Sequence, residues 1–319
     1  RRVMEPSARV LKGTPHPRDA GVVFDDPSHT YTVHGNLYTG SATGFLALFF
    51  GNFDAVATSI RCAEKGEKDP SYKYAGMTAE AIRKKWEDYG NERAGAGTIK
   101  HANVENYLKG YPYDGEPAEF SAFLKFDEEA TGTGVWTHWD AEWSIYNDKV
   151  KLAGQIDMVY ANVEDAAVWH AWDAAGRRGD APHMRLWLVD WKFSKPLVKK
   201  GFKNAMARGP CKALGDGNLH KYWMQLNTYQ WLVETNYNAK VERKTIVRFV
   251  EGSDEFERFE VPSKQRMLRE MLAYRELVVA GNPPLLESWT PVEFTGGKED
   301  ALPAEPLPAR RRRTFVAAP

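Results

Sequence analysis

The sequence predicts an α/β protein in which a central mixed β-sheet is flanked by helices, with a helical region in its N-terminal half. Three observations predict this class. Apolar residues recur at helical spacing over residues 41–129, strand-like apolar runs follow over residues 137–193, and a helix, two strands and a helix complete the order to residue 280. Strands clustered between helices in this way are typical of a sheet that helices cover.

Residues 1–40 are rich in Pro, Gly, His and Asp, which predicts a loose N-terminal arm with a small hairpin near Thr30–Tyr38. Three helical segments follow the arm. We expect helices beginning at Ser41, over Met77–Lys109 with a break at Gly95-Ala96-Gly97, and over Ala118–Glu129.

Strands dominate the middle of the chain. Thr137–Asn147 and Val150–Val163 predict a β-hairpin that turns at Asn147-Asp148, and the polar residues 162–184 predict an inserted loop or hairpin. The remaining elements are a buried strand at Arg185–Phe193, a helix at Asn218–Tyr237, strands at Val241–Val250 and Glu255–Val261, and a helix at Ser263–Ala280. We therefore expect an arm (1–40), one domain (41–282) and a tail rich in Pro and Arg (283–319).

The composition limits the classes of function. Lys+Arg and Asp+Glu are both 43, so the formal net charge is zero and any basic surface must be local. The two cysteines, Cys62 and Cys211, are too few for a four-cysteine zinc site or an iron–sulfur cluster within the chain. The lack of a disulfide framework favours an intracellular setting, in the cytoplasm or nucleus. No apolar run reaches the length of a membrane helix, so we expect no membrane contact.

Two apolar, strand-like runs each contain a lone carboxylate, Asp157 in Leu152–Tyr160 and Asp190 in Leu186–Lys192. Residues two apart on a strand share a face, so Lys192 should lie beside Asp190. Two carboxylates can hold Mg²⁺, and the backbone carbonyl of Trp191 can add a ligand. The alternative is a simple Asp–Lys ion pair at a strand end. A lone Asp-x-Lys fits the ion pair better, but the cost of a bare carboxylate in two apolar strands strengthens the case for the metal site.

Two further residues extend this candidate site. His101 and Glu105 are four apart and share a helix face, and an imidazole ligand would make Mn²⁺ as suitable as Mg²⁺. An ordinary His–Glu pair on a helix surface is the alternative. Glu142 lies on the strand before Asp157. The sequence allows it to be a further ligand, an outer-sphere partner or a solvent-facing residue. Glu105 is the second candidate for an outer-sphere partner.

The residues after the second strand suggest contact with nucleic acid. Gln225 and Tyr229 share a face of one helix and can bond phosphates or bases, although packing on the sheet is the alternative. Residues 192–212 contain no Asp or Glu, so this basic segment can follow a phosphate backbone or be an ordinary solvated loop. Its candidate DNA-binding lysines are Lys195, Lys199, Lys200 and Lys203. The run Arg310–Arg313 fits a nucleic-acid-binding tail, a localisation signal or neither.

These motifs, in this order, resemble the PD-(D/E)XK nuclease superfamily, specifically its RecB-like exonuclease branch. The resemblance rests on four motifs and extends from about Ser41 to Val261. They are Gly-Thr-x-x-His ending at His101, Gly-x-Ile-Asp ending at Asp157, Val-Asp-Trp-Lys ending at Lys192, and Gln-Leu-x-x-Tyr ending at Tyr229. The compact form is similar to nucleases encoded by phages and large DNA viruses.

The resemblance implies a restriction-endonuclease-like core and a metal-dependent deoxyribonuclease that acts as an exonuclease in DNA recombination, repair or replication. It implies Asp157, Asp190 and Lys192 as catalytic residues, His101 as a metal ligand, and Gln225 and Tyr229 near DNA. The cofactor would be Mg²⁺ or Mn²⁺ without an iron–sulfur cluster. The partners would be DNA ends or single strands and a recombination or replication protein. The alternatives are a catalytically silent nucleic-acid-binding module on the same fold and a structure-specific endonuclease.

Overall fold

The computed structural model describes residues 3–4, 16–25, 28–38, 40–51, 53–115 and 117–289. The helices in this part of the chain are α1 (Ala42–Ala47), α2 (Ala55–Lys68), α3 (Ala79–Lys109), α4 (Ala118–Thr131), α5 (Val163–Ala174), α6 (Asn218–Asn236) and α7 (Gln265–Val279). The strands are β1 (Val3–Met4), β2 (Val22–Asp25), β3 (Thr30–Val33), β4 (Asn36–Tyr38), β5 (Tyr113–Asp114), β6 (Trp136–Asn147), β7 (Leu152–Asn162), β8 (Met184–Lys192), β9 (Ala239–Phe249) and β10 (Phe256–Glu260).

A five-stranded mixed sheet in the order β10-β9-β8-β7-β6 forms the centre of the protein. Strands β8 and β9 are parallel, because α6 returns the chain between them, and the other neighbours are antiparallel. The prediction of an α/β protein with a central mixed sheet flanked by helices is therefore confirmed.

Helices cover both faces of this sheet. Along β8, Leu186 and Leu188 pack in a core with α5 and α6, whereas Trp187, Val189 and Trp191 pack in a core with α3 and α4. A continuous apolar run is the pattern of a strand whose two faces are both covered. Because side chains alternate between the two faces, the even-numbered residues of β8 face α6, as far as the last residue of the strand.

The N-terminal region differs from the expected loose arm. The hairpin predicted at Thr30–Tyr38 is present, and β2 extends it to a three-stranded antiparallel sheet. Tyr31, Val33 and Tyr38 are buried, in one cluster with Tyr146 and Ala153 of the central hairpin. The expectation of looseness is wrong for residues 22–25 and 28–38, because their alternate apolar side chains dock on the domain.

The middle of α3 also differs from its prediction. Residues 79–109 form one uninterrupted helix, so the break expected at Gly95-Ala96-Gly97 is absent. Cβ atoms added at Gly95 or Gly97 would meet nothing within 4 Å, so these glycines serve no close approach. The conformational cost of a helical glycine is about 1 kcal/mol, which a long helix with packed ends offsets.

The segment 162–184, expected to be a loop or hairpin, contains α5 instead. Asn162 caps this helix by accepting a hydrogen bond from the Glu164 amide, and Ala166 and Trp169 are buried on the sheet. The central hairpin turns through residues 148–151 rather than at Asn147-Asp148. Most of the expected tail, including Arg310–Arg313, lies outside the described residues. Across the described part of the chain, no helix has the length and apolar character needed to span a membrane.

A buried lysine joins β9 to α6. Lys244 is 7% exposed, and its Nζ donates to Asn227 Oδ1 at 2.8 Å and to Gln230 Oε1 at 2.6 Å. Asn227 Oδ1 also accepts the amide of Lys264, just before α7. The network therefore holds three elements together with one ammonium group in the core. Burial lowers the pKa of Lys244 to about 7.

This buried amine predicts a pH-dependent contribution to stability. The pKa of Lys244 is about 7 in the fold and about 10.4 in the unfolded chain, so between these values the unfolded chain binds more protons. The contribution of Lys244 to the free energy of unfolding therefore rises with pH over this window. Urea unfolding of the wild type and of Lys244→Met at several pH values measures this contribution. All other groups titrate in both proteins, so their effects cancel in the difference. We expect the wild type to gain stability relative to Lys244→Met between pH 7 and 10, and a constant difference would contradict the assignment.

Candidate metal centre

Three carboxylates lie side by side on neighbouring strands of the central sheet. Glu142 on β6 lies opposite Asp157 on β7, between two paired positions of their ladder. The β7–β8 ladder ends at the Met158–Val189 pair, so Asp157 and Asp190 are the next opposed positions. Opposed residues of adjacent strands project from the same face of a sheet. The register therefore gathers three acids where β7 and β8 part.

The parting of the strands orients Asp157. The amide of Trp191 donates to Asp157 Oδ2 at 2.7 Å instead of to the backbone of β7. The Trp191 ring is buried against Phe123 and Phe126 of α4, which fixes the position of that amide. The use of the Trp191 carbonyl as a metal ligand stays a prediction.

His101 reaches this carboxylate row from α3. Its Nδ1 lies 3.6 Å from Glu142 Oε1 and 3.9 Å from Asp157 Oδ2. One ligand atom from each of the three residues lies within 4.8 Å of the others. Ligands that sit about 2.0–2.2 Å from a common ion are separated by roughly 3–4 Å, and the distances from His101 to both carboxylates lie in this range.

Asp190 and Lys192 occupy the adjoining position. Asp190 is 1% exposed, and its Oδ2 lies 2.6 Å from Lys192 Nζ. Beyond this ion pair, neither oxygen of Asp190 has a hydrogen-bond partner among the described residues. Buried carboxylates are costly without such partners. The ammonium of Lys192 offsets part of this cost, and a divalent cation beside Asp190 would offset more of it.

The charges of the cluster favour a cation. Burial raises the pKa of Asp157, and the neighbouring Glu142 adds to the rise against the opposing effect of His101 and Lys192. Burial, together with Asp157, raises the pKa of Asp190 to about 6 although Lys192 opposes the change. Burial lowers the pKa of Lys192 and of His101, but the carboxylates outweigh it and both pKa values are raised. Three acids thus share one ammonium and one imidazole, and a divalent ion would balance them.

Glu142 lies among the candidate ligands. The sequence allowed it a direct, an outer-sphere or a solvent-facing position, and the structure places it beside His101 and Asp157. Its backbone adopts φ +55°, a left-handed conformation that costs non-glycine residues energy and that often marks functional sites. Gln155 Nε2 donates to the Glu142 carbonyl at 3.1 Å and helps to hold this conformation.

The register of the hairpin is the signal that would have identified Glu142. A two-residue turn at Asn147-Asp148 would place Glu142 opposite Ala153. The observed loop of residues 148–151 instead places it opposite Asp157. An error in loop length therefore concealed the pairing of two acids.

Glu105 is not part of the centre. Its Oε1 accepts from Lys109 Nζ at 2.5 Å on the same helix. The His101–Glu105 pair expected from helical spacing does not form, because Glu142 and Asp157 across the helix–sheet interface are the neighbours of His101. An outer-sphere role for Glu105 is therefore not supported by its position.

The Gln225–Tyr229 pair forms as its spacing predicts, but its two residues differ in exposure. Gln225 Nε2 donates to Tyr229 Oη at 2.8 Å, and Gln225 is half-buried. Tyr229 is 3% exposed and packs so closely on Gly154 that a Cβ there would come within 2.5 Å of its ring. A direct contact of Tyr229 with DNA does not fit this position. Its hydroxyl instead orients the amide of Gln225.

The basic segment, residues 192–212, leaves the centre between α3 and α6. The ammonium of Lys192 lies 4.5 Å from the ring centroid of Tyr222 on α6, and that of Lys199 lies 5.0 Å from Trp223 on the same helix. Lys195 Nζ lies 5.2 Å from the ring centroid of Tyr89 on α3. The four candidate DNA-binding lysines, Lys195, Lys199, Lys200 and Lys203, are all exposed. They form an accessible basic surface beside the centre.

Comparison with known proteins gives no assignment. No protein-family model matches the chain, and no curated protein matches it significantly. We therefore infer function from the chemistry of the site.

Proposed function

We propose that the protein is a metal-dependent DNA nuclease that hydrolyses phosphodiester bonds and acts as an exonuclease. The observation that carries this proposal is the partly buried row Glu142–Asp157–Asp190, joined by His101 and Lys192. The set combines hard oxygen ligands, an imidazole and an ammonium group at the start of a basic surface. These are the components that metal-assisted hydrolysis of a phosphate ester requires.

His101, Glu142 and Asp157 would hold Mg²⁺ or Mn²⁺, and Asp190 lies on the strand beside Asp157, paired with Lys192. The bound ion would lower the pKa of a water molecule and polarise the phosphodiester. An imidazole among carboxylates suits Mn²⁺ as well as Mg²⁺. The Trp191 amide keeps Asp157 oriented, so the ligand set is positioned before the ion binds.

Lys192 would stabilise charge at the phosphate. Its neighbours Asp190 and Asp157 favour its protonated form, and Tyr222 lies under its ammonium group. A fixed cation in a buried site stabilises a developing negative charge more strongly than one in water. We therefore propose that Lys192 acts on the attacking water and the phosphate through its positive charge and does not accept a proton.

Cleavage of defined DNA substrates tests the proposal. We expect purified protein to release nucleotides from end-labelled linear DNA with Mg²⁺ or Mn²⁺, to leave closed circular DNA intact, and to stop when EDTA removes the ion. Asp157→Asn is the matched control, because it keeps the shape and the acceptor for the Trp191 amide while it removes a charged ligand. Linear and single-stranded DNA left intact with both ions would refute the nuclease. Cleavage of closed circles would replace the exonuclease with an endonuclease.

A further inference from the structure

The tip of the basic segment carries an aromatic ring that the centre does not use. We propose that Phe202 stacks on a base of single-stranded DNA and so binds an unpaired strand beside the metal centre. This inference rests on the proposed function, because it names the form of DNA that the same surface receives.

The ring is presented by a rigid support. Ala207 N donates to Leu214 O at 2.9 Å and Asp216 N donates to Ala205 O at 2.8 Å, so the base of the loop is a short paired ribbon. Ala207 and Leu214 are buried in the core. At the tip, by contrast, Phe202 is 81% exposed. The exposed ring is therefore held by a loop whose base is hydrogen-bonded and anchored in the core.

The backbone of the tip is strained in a way that displays the ring. Lys203 (φ 52°) and Asn204 (φ 61°) are consecutive residues in the left-handed conformation, which is unfavourable for side chains with a Cβ. Asn204 N donates to Gly201 O and Ala205 N donates to Phe202 O, both at 3.0 Å, and these bonds close the turn. Strain held by surrounding structure is common at ligand-binding positions.

The charge around the ring indicates its ligand. Lys199, Lys200 and Lys203 flank Phe202, and the segment contains no acidic residue from 192 to 212. An exposed aromatic ring among lysines is the combination that binds single-stranded nucleic acid, because the lysines contact phosphates and the ring stacks on a base. A surface that docks an apolar protein patch would instead be depleted of lysine.

The segment is continuous with the metal centre. Lys192 and Lys199 lie over the adjacent aromatic residues Tyr222 and Trp223 of α6, so the chain runs along that helix before it reaches the tip. A strand that follows these lysines would pass from Phe202 towards Asp190. Bases in a duplex are already stacked on one another, so an exposed ring favours an unpaired strand.

Binding in EDTA, where no cleavage occurs, tests the inference. Fluorescence anisotropy would measure the affinity of each protein for a dT20 oligonucleotide and for a blunt duplex of the same length. We expect Phe202→Ala to bind dT20 about tenfold more weakly than the wild type, because one stacked base is lost. Its affinity for the duplex should be unchanged. Phe202→Trp should retain the affinity, whereas Phe202→Leu should lose it as Phe202→Ala does. Val168→Ala is the matched control, because Val168 is 57% exposed on α5, away from the basic segment.

Two results would overturn the stacking. Either Phe202→Ala binds dT20 as the wild type does, or Phe202→Leu retains the affinity, which would indicate a general apolar contact such as a protein-docking site. Cleavage measured with Mg²⁺ separates this inference from the proposed function. A protein that binds dT20 through Phe202 but cuts no DNA would refute the nuclease and support the stacking. If the wild type cuts DNA and Phe202→Ala still binds dT20 with full affinity, the nuclease would be supported and the stacking refuted.

Discussion

Replacement of Lys192 by Met is expected to lower the rate of DNA cleavage by about 10²- to 10³-fold, the range seen when one group that stabilises developing charge is removed. Met has nearly the length of Lys but no charge, so the side chain can still fill its place above Tyr222. The metal ligands His101, Glu142 and Asp157 are unchanged, so Mn²⁺ should still bind. Single-turnover cleavage at saturating Mn²⁺ measures the effect on the chemical step.

Loss of the ammonium also leaves Asp190 buried without its cation, at a cost of about 3–5 kcal/mol in the metal-free protein. The double variant Asp190→Asn/Lys192→Met removes both charges and should fold while it remains inactive. Lys149→Met is the surface control, because Lys149 is 76% exposed and pairs with Glu276 at 2.7 Å on the surface. Near-normal cleavage by folded Lys192→Met would show that Lys192 has no part in catalysis.

Replacement of Glu142 by Gln is expected to weaken Mn²⁺ binding by more than about 100-fold, because the loss of an outer-sphere partner alone costs 10- to 100-fold. Cleavage should fall with it and recover in part at high Mn²⁺ concentration. The amide keeps the size of the side chain beside His101 but removes the charge. Isothermal titration with Mn²⁺ measures the affinity directly, and the melting temperature should rise with Mn²⁺ much less than in the wild type.

Glu105→Gln is the matched control for this variant. Glu105 also lies within one helical turn of His101 in sequence, but its carboxylate pairs with Lys109. We expect wild-type affinity and activity from Glu105→Gln. Equal losses in the two variants would mean that net charge near His101, and not the position of Glu142, determines metal binding.

The central sheet could be predicted from sequence because its strands are long and apolar on both faces. The runs around Asp157 and Asp190 do not fit a helix, and both carboxylates lie on strands, β7 and β8, as the sequence predicts. The ion pair of Asp190 and Lys192 followed from the two-residue period of a strand alone. These features depend only on local sequence.

The features that sequence did not predict depend on pairing and packing. The position of Glu142 stayed open because the loop of the hairpin sets its partner, and a change of two residues in that loop shifts every opposed pair. Glu105 stood beside Glu142 as a candidate outer-sphere partner, because helical spacing shows neighbours on one helix but not across an interface. The burial of Tyr229 depends on Gly154, a residue far away in sequence that leaves space for the ring.

Anomalous diffraction from crystals grown with Mn²⁺ tests the central claim, that this cluster is a divalent-metal centre, most directly. We predict one strong peak within about 2.0–2.3 Å of His101 Nδ1 and of a carboxylate oxygen from each of Glu142 and Asp157. A peak at any other place in the protein, or no peak at saturating Mn²⁺, would contradict the account.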